Sequence, residues 1–486
     1  MRRPLLLFLL FAVISILTRA PFFGVEILDM DESAHAVGSW TLLDGGKLYQ
    51  DFVNNKPPLL YVYYAAVQAI FGRGLLQVHL FTALIVVPLT ALAVAAFFDY
   101  DKKGLYGGIL YLLISAAFLA HDMHSTNAEI LMVLPGTWAI VFAKRNRMFL
   151  SGLLFGLGFL LKYQIALGIL AILFANRKGT KMGILALFAG FLLPLIGSVA
   201  YFYATGGGES LFYWLFWNNL LYSANPISFH EAIGRAATYL LPFLIVTAPL
   251  WWVALKNRSN HFIFVLLLLS IPPMFVGFRF YPHYFIQLYF PLVILCAPVE
   301  KRNLLVYSMA LLICFTAVNF YLYFGKRDIY RERDPVYQEV AQRLKSDPSY
   351  KDATLFVWGY APAFYYYAHL KPATRFVVMG QARLTGYVSG NLGSVNKPTQ
   401  GVAQHWDWLM QDLQKNKATY ILDTSPAAIY RWDHYPISDY PRLKNYIDQN
   451  YTRLDEIDSV VIYVARRPRP RSSAGDGPAP LQLSDR

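Results

Sequence analysis

Charged residues are scarce in this sequence, and their scarcity excludes an ordinary soluble fold. Only 15% of the 486 residues are charged, whereas 56% are hydrophobic. Soluble domains usually contain about 45–50% apolar residues. Because so few charges cannot cover so large an apolar surface in water, we predict that much of this surface contacts lipid.

Cysteines, a phosphate-binding loop and internal repeats are also lacking. The only cysteines, Cys296 and Cys314, lie within apolar segments, so we expect neither a disulfide framework nor a cysteine metal site. The glycine run 206–208 is not followed by Gly-Lys-Ser/Thr, which excludes a P-loop there. Transporters are often built from repeats, and the sequence shows none, which counts against a transporter.

The excess of basic residues follows loops rather than one folded face. The formal net charge is +13, and short basic groups alternate with apolar runs, at 101–103, 144–147, 176–178, 256–258 and 300–302. Membrane proteins mark their cytoplasmic loops in this way. Nucleic-acid binding would need a basic face on a folded domain. We therefore predict a membrane protein and no nucleic-acid partner.

Apolar runs long enough to cross a bilayer recur up to residue 325. The candidates are 4–23, 76–98, 104–121, 129–143, 148–175, 182–204, 236–255, 261–278, 283–299 and 303–324. Every basic group falls on the cytoplasmic side if 148–175 is a hairpin and 57–71 is a re-entrant or interfacial helix. We therefore predict an α-helical multi-pass protein with 11–13 transmembrane helices, eleven being favoured, and a cytoplasmic N-terminus.

The composition changes after residue 325. Short apolar strands are predicted at 353–358, 375–379, 418–422 and 459–464, and helices at 362–369 and 402–415. This alternation indicates a small α/β domain over 326–466. It follows a transmembrane domain over 1–325, and the predicted topology places it outside the cytoplasm. Residues 467–486 are rich in Pro, Ser and Gly, which predicts a disordered tail.

The loop at 24–75, on the predicted outer face, contains the most informative motifs. Asp29, Asp31 and Glu32 follow the first span, and acidic residues beside a membrane entry are costly unless they are solvated or functional. Gly-x-x-Tyr-x-Asp follows, ending at Tyr49 and Asp51. The loop then reads Lys-Pro-Pro-Leu at 56–59. An Asp-Glu pair alone is often a solvated loop, but the combination is more specific.

This combination resembles the first outer loop of the protein O-mannosyltransferase and aminoarabinose-transferase (ArnT-like) superfamily of membrane glycosyltransferases. Two weaker similarities are the Asn-Ala-Glu at 127–129 and the Arg-Phe-Tyr-Pro-His-Tyr at 279–284. The resemblance covers about residues 1–325. It implies the C-type glycosyltransferase fold, a polyprenyl-phosphate sugar donor, a hydroxyl acceptor and inversion at the anomeric carbon. Some relatives have aspartate where this chain has Glu129.

The resemblance and the chemistry together assign roles. Asp31 is the predicted general base, and Glu32 orients either the acceptor or the loop. The leaving phosphate needs fixed positive charge, which we assign to a basic and aromatic set: Lys56, Arg279, His283, Tyr284 and Lys162. Lys56 could instead snorkel at the interface, and Lys162 could merely cap the hairpin. The predicted supporting residues are Tyr49, Asp51 and Glu129.

Several alternatives stay open in the sequence. A divalent metal could be held by His121, His124 and Glu129, although no other metal-type spacing occurs and no cofactor is certain. A transporter or flippase of a lipid-linked sugar, or a non-catalytic envelope scaffold, would use the same spans. The sugar is not specified, and the acceptor could be a glycan, a lipid or a protein. The predicted location is the plasma membrane (the inner membrane of a Gram-negative cell), with the active site and C-terminal domain extracytoplasmic.

Overall fold

The computed structural model describes residues 2–175, 180–223, 227–257, 260–298, 302–325, 334–380, 382–385, 387 and 401–466. Three sequence predictions lie wholly or partly outside these ranges: the basic groups at 176–178, 256–258 and 300–302, the domain boundary at 325–326, and the tail 467–486. The N-terminal part is helical and the C-terminal part contains a sheet, as the sequence predicted.

The N-terminal part consists of helices that follow one another closely along the chain. They are α1 (Arg2–Arg19), α2 (Met30–Leu43), α3 (Pro58–Phe71), α4 (Leu75–Phe97), α5 (Lys102–Ala117), α6 (Ala120–His124), α7 (Ala128–Lys144), α8 (Met148–Phe159), α9 (Leu167–Ala175), α10 (Lys181–Ala204), α11 (Gly208–Phe212), α12 (Asn218–Ser223), α13 (Phe229–Lys256), α14 (His261–Leu269), α15 (Ile286–Cys296) and α16 (Arg302–Gly325).

Six helices of the described part are long and apolar enough to cross a membrane. They cover Arg2–Phe22, Leu75–Phe97, Lys181–Ala204, Phe229–Lys256, His261–Phe278 and Asn303–Gly325. The other predicted crossings coincide with the shorter helices α5, α7, α8, α9 and α15. Every residue of α15 is buried, because α5, α7, α13 and α14 pack around it. Helices enclosed in this way need not match the length of a lipid-facing span.

The broken stretch at 148–175 forms the predicted hairpin. Helix α8 ends at Phe159, a 3₁₀ turn covers Tyr163–Ala166, and α9 follows, with Lys162 at the turn. The Leu59 amide, at the start of α3, donates to the Leu160 carbonyl at 3.0 Å. The turn of the hairpin and the first turn of α3 are therefore adjacent, and both lie beside the first loop.

The two ends of the helical bundle differ in charge pattern. At one end, Lys144 donates to the Phe97 carbonyl and Arg145 lies 3.4 Å from Asp99. Helices α4 and α7 begin at the opposite end, where Glu129 lies in the first turn of α7. The carboxylates and histidines highlighted by the sequence collect at that second end. This separation agrees with the predicted assignment of basic loops to one side.

The C-terminal part is a five-stranded mixed sheet with helices. Its strands are β1 (Thr354–Trp358), β2 (Lys371–Pro372), β3 (Tyr420–Asp423), β4 (Tyr451–Ile457) and β5 (Val460–Ala465), in the order β2-β1-β3-β5-β4. Strands β2, β1 and β3 are parallel, and β5 is antiparallel to both β3 and β4. Its helices are α17 (Asp334–Lys345), α18 (Ala363–Ala368), α19 (Ala403–Asn416) and α20 (Pro441–Asn450).

One prediction for this sheet is wrong, and strands β2 and β4 were not predicted. The segment 375–379 is not a strand, because the Arg375 amide bonds to Asp412 and its carbonyl accepts from Val53 instead of joining a ladder. Strand β4 was missed because its sequence, Tyr-Thr-Arg-Leu-Asp-Glu-Ile, lacks a clear apolar alternation. It pairs through the tight turn at Asp458 and Ser459, whose backbones are both left-handed.

Candidate active site

The candidate site begins at the N-terminus of α2. The Asp29 side chain accepts the Asp31 amide at 2.7 Å, and Glu32 reaches back to the Asp29 amide at 3.4 Å, which completes a capping box. Such a box satisfies amides that the first turn would otherwise leave unpaired. The same local pattern therefore explains both why the helix starts here and why Asp31 stands on its first turn.

Glu32 is wholly enclosed and binds several partners. Its side chain is 0% exposed, and its Oε1 accepts the Thr126 amide at 2.5 Å and lies 2.8 Å from His79 Nε2. Its Oε2 accepts the Leu28 amide at 3.2 Å. These bonds tie the first loop to α4 and to the segment before α7. Of its two predicted roles, this geometry favours orienting the loop over orienting the acceptor.

Asp31 is the accessible carboxylate, and it faces Lys56. Its side chain is 27% exposed, and its Oδ2 lies 3.3 Å from Lys56 Nζ. Burial alone would raise the pKa of Asp31, but Lys56, His35 and His283 outweigh burial and lower the pKa to about 2. The Asp31 carboxylate is therefore ionised at neutral pH and can accept a proton.

Lys56 is held by its own loop. The Tyr49 hydroxyl donates to the Lys56 carbonyl at 2.8 Å, and Asp51 Oδ2 accepts the Lys47 amide at 2.8 Å. Tyr49 has a positive φ of 64°, which marks a tight turn. Burial would lower the pKa of Lys56, but the nearby carboxylates Asp31 and Glu129 raise it. Tyr49 and Asp51 thus shape the loop, as their predicted supporting role requires.

A second charged group lies at the start of α7. Glu129, 1% exposed, bonds to Lys162 from the hairpin turn and lies 3.6 Å from His283 Nε2. Lys162 Nζ is also 5.2 Å from the centre of the Tyr284 ring, within the range of a cation–π contact. The site therefore combines parts of the first loop, α7, the hairpin and the segment before α15.

The two charged groups influence one another electrostatically. His283 contributes to the low pKa of Asp31, and Glu129 contributes to the raised pKa of Lys56. Such mutual effects require proximity within a poorly hydrated region, because water would screen them. Asp31, Lys56, Glu129 and His283 therefore lie close enough to form one charged cluster.

Three further predicted residues have contacts of their own. The His124 ring stacks on Phe22 at 4.3 Å, while Glu129 is committed to Lys162. Arg279 is buried beside Gly277, and its carbonyl accepts from Arg235 at 3.3 Å. The His121 ring lies 6.3 Å from that of Tyr323.

The structure does not support the predicted metal alternative. Within the described ranges, no three His, Cys, Asp or Glu side chains are grouped so that they could hold a metal ion. His121, His124 and Glu129 are therefore not brought together around one centre.

The sequence prediction missed two residues that build the site. Asp122 Oδ2 accepts the His283 amide at 2.9 Å, and its Oδ1 lies 2.5 Å from His283 Nδ1. His79 supports Glu32. Asp122 lies between His121 and His124, which the sequence singled out, but its partner lies 161 residues away. Pairing over that distance leaves no local signal in a single sequence.

An apolar cavity lies next to the cations. It lies between α7, the hairpin, α14 and α15. Gln164, two residues after Lys162, and Gln287, three residues after Tyr284, line it together with Ile165, Leu266 and Pro291. The cavity is thus an apolar space inside the helical part whose polar end is close to the Lys162 turn.

Comparisons with known proteins identify the fold. No protein-family model and no curated protein sequence matches the chain. The crystal structure of ArnT from Cupriavidus metallidurans bound to undecaprenyl phosphate is similar, with TM-score 0.61 and 13% identity over 94% of this chain and 97% of that chain. Its apo structure has TM-score 0.59 and 12% identity over the same shares.

An archaeal oligosaccharyltransferase, AglB from Archaeoglobus fulgidus, gives a TM-score of 0.45 and 11% identity over 96% of this chain and 74% of that chain. The ArnT similarity extends over nearly the whole of both chains, including the C-terminal sheet. This agreement confirms the fold that the first-loop motifs predicted. The chain adopts the C-type glycosyltransferase fold of membrane proteins, with a small α/β domain at its C-terminus.

Proposed function

We propose that this protein is a membrane glycosyltransferase that moves a sugar from a polyprenyl phosphate to a hydroxyl acceptor. The observation that carries the proposal is the Asp31–Lys56 pair, an accessible carboxylate 3.3 Å from an amine at one end of the helical bundle. A base and a phosphate-binding cation must lie this close, because the attacking hydroxyl and the leaving phosphate are joined to the same carbon.

The surroundings of this pair support a lipid phosphate as leaving group. Lys162 and His283 add positive or polarisable groups opposite Glu129 and Asp122. The neighbouring cavity has an apolar lining, which suits contact with the first part of an isoprenoid chain. The similar ArnT structure is described as bound to undecaprenyl phosphate, which has both chemical parts.

The reaction is a single displacement at the anomeric carbon. The acceptor oxygen forms a bond to that carbon while the bond to the phosphate oxygen breaks. The acceptor proton passes to Asp31, and the polyprenyl phosphate leaves with the bonding electrons. Lys56 stabilises the negative charge that grows on the phosphate. One displacement without a covalent intermediate inverts the configuration of the sugar.

Donor binding itself strengthens the base. In the empty site Lys56 neutralises Asp31 and contributes to its low pKa. When a donor phosphate draws Lys56 toward itself, this contribution weakens while burial still favours the neutral form. The pKa of Asp31 then rises, so the carboxylate becomes a better proton acceptor only when a donor is present.

The experiment compares wild type with Asp31→Asn in nanodiscs. A panel of polyprenyl-phosphate sugars is supplied with membrane extract as acceptor, and free polyprenyl phosphate is measured. Loss of a general base lowers rates by about 10²–10⁴-fold. We expect release by wild type to fall by that factor in the variant, with binding of undecaprenyl phosphate retained.

Two other results would count against the proposal. If wild type, shown to be folded, releases no carrier from any donor, the glycosyltransferase function is wrong. If both proteins release it equally, the reaction class stands but Asp31 is not the base. Asp99→Asn is the matched control, because this exposed carboxylate lies at the opposite end of the bundle, 3.4 Å from Arg145.

A further inference from the structure

The C-terminal domain is hydrogen-bonded into the loop that presents Lys56. We call residues 47–56 the Lys56 loop. The Val53 amide donates to the Arg375 carbonyl at 3.1 Å, and Val53 is only 3% exposed. Val53 stands three residues before Lys56. A backbone group of the C-terminal domain thus fixes the segment that leads directly to the proposed phosphate-binding amine.

Arg375 is itself fixed by a single carboxylate. Asp412 Oδ2 accepts hydrogen bonds from the Arg375 backbone amide at 3.0 Å and from Arg375 Nε at 2.9 Å. Asp412 Oδ1 accepts a third hydrogen bond from Arg375 Nη2 at 2.9 Å. The guanidinium also lies 5.4 Å from the centre of the Trp408 ring. Paired arginine–carboxylate bonds of this kind are directional as well as strong. Asp412 therefore fixes the Arg375 peptide whose carbonyl holds Val53.

The two halves of the Lys56 loop have separate anchors. Lys47 Nζ donates to the Thr205 carbonyl at 2.9 Å, and Gln50 Nε2 donates to the Gly206 carbonyl at 2.7 Å. These bonds hold the first half of the loop against the turn after α10. The bond from Val53 holds the second half against the C-terminal domain.

From this arrangement we propose that Asp412 and Arg375 are positioning residues for the transfer reaction. They hold the Lys56 loop through Val53, so that Lys56 meets Asp31 and the phosphate of the donor. The proposal rests on the proposed function in one respect, that Lys56 binds this phosphate. It gives the C-terminal domain a direct part in building the donor site.

Other contacts dock the domain on different elements. The Tyr366 hydroxyl accepts the Leu75 amide at 3.0 Å at the start of α4, and the Trp40 ring stacks on Tyr366 at 5.3 Å. Lys371 lies 3.6 Å from Asp44 after α2. Loss of the Asp412 charge leaves these contacts in place. Its effect should therefore appear in the Lys56 loop rather than in domain docking.

The test uses the full chain in nanodiscs, as wild type, Asp412→Asn and Arg375→Ala. Amide hydrogen exchange reports on peptides covering 47–56, and binding of undecaprenyl phosphate reports on the donor site. Lys371→Ala is the matched control, because it removes a different contact between the same two parts. We expect faster exchange in the Lys56 loop and about tenfold weaker binding in both variants, the size of one lost hydrogen bond. The control should change neither quantity.

The outcomes separate this proposal from the proposed function. Unchanged exchange in the Lys56 loop would show that Asp412 and Arg375 do not hold this loop. Faster exchange with an unchanged affinity for undecaprenyl phosphate would show that holding the loop does not contribute to donor binding. If strands β3 and β5 also exchange faster, the domain has loosened. Val53→Pro then removes the loop amide without altering the C-terminal domain and must reproduce the weaker binding, or the proposal fails. If wild type binds no undecaprenyl phosphate, the proposed function is wrong, while exchange still decides the contact.

Discussion

Two neighbouring carboxylates on the first turn of α2 have opposite environments. Asp31 is 27% exposed and faces Lys56, whereas Glu32 is 0% exposed and binds amides from two parts of the chain. Buried polar groups with several partners contribute to stability, and accessible ones remain free for chemistry. Under the proposed function, Asp31 therefore takes part in the chemistry, whereas Glu32 supports the structure.

We predict that Glu32→Gln lowers stability. In the variant, an NH₂ group replaces one carboxylate oxygen of Glu32, so that it faces a backbone N–H and neither group has an acceptor. Leaving buried donors without a partner costs about 1–3 kcal/mol. Thermal unfolding in detergent should show a lower Tm for Glu32→Gln than for wild type. Glu339→Gln, at an exposed position of α17, serves as control and should unfold like wild type. Equal Tm values for all three proteins would contradict the structural role of Glu32.

The second prediction concerns the pH dependence of the reaction. Burial raises the pKa of Asp31, and Lys56 makes the largest contribution that lowers it. In Lys56→Met this contribution is lost, so the pKa of Asp31 should rise. A base loses activity as the pH falls through its pKa, and a raised pKa moves this loss to higher pH.

We therefore expect kcat/KM of Lys56→Met, measured between about pH 4 and 8, to decline on the acid side at a higher pH than that of wild type. The maximal kcat/KM of the variant should also be lower, because Lys56 is the proposed phosphate-binding cation. Lys47→Met, in the same loop, should keep the wild-type limb because Lys47 bonds to the Thr205 carbonyl. Coincident limbs in wild type and Lys56→Met would argue that Asp31 is not the titrating base.

At the scale of elements, the hairpin depends on close helix packing. A Cβ added at Gly152 of α8 would lie 1.9 Å from the Leu187 carbonyl oxygen of α10. One added at Gly156 would lie 2.4 Å from the Phe191 oxygen, and one at Gly190 would lie 2.1 Å from the Phe149 oxygen. Small residues four apart allow helices in membranes to approach in this way.

We predict that Gly152→Ala forces α8 away from α10 and destabilises the protein by about 1–3 kcal/mol, as overpacking does. Gly197→Ala, also on α10, is the control, because nothing lies within 4 Å of its added Cβ. Thermal unfolding of both variants in the same detergent measures the difference. A Gly152→Ala protein as stable as Gly197→Ala would contradict the packing.

The same elements show what sequence patterns can predict. Apolar length predicted the spans, and Lys162 with its neighbours predicted the hairpin turn, because both signals are local. Strand β4 and helix α17 were missed, and the segment at 375 was wrongly predicted as a strand. The Arg375 backbone hydrogen-bonds to Asp412 and Val53, which are distant in sequence. Local β-propensity gives no information about such distant partners.

At the scale of the molecule, the bundle has a basic end and an end that carries the candidate site. The positive-inside rule places the basic end in the cytoplasm. We predict that a cysteine at Lys47, in the Lys56 loop, reacts with an impermeant maleimide in intact cells. A cysteine at Lys103, at the start of α5, should react only after permeabilisation. The opposite pattern would invert the proposed orientation.

The fold was predictable because its signals repeat over the whole molecule, whereas the candidate site was predictable only in part. Motifs located Asp31, Lys56, Glu129, Lys162 and His283, each of which has a charged partner in the structure. Asp122 was missed because its bond spans 161 residues. Arg279 fitted a motif and is buried, with Gly277 and Arg235 among its neighbours, and its role at the donor phosphate stays a prediction.

The site draws its side chains from widely separated parts of the chain. Glu32 bonds to Thr126 across 94 residues, and Asp122 bonds to His283 across 161. During synthesis these segments enter the membrane one after another. A nascent chain therefore has no complete site until the residues around 283 have emerged and the last helices are inserted. Under the proposed function, unfinished or truncated chains would contain Asp31 and Lys56 but lack the other wall of the site, and we expect them to be unable to consume the lipid carrier.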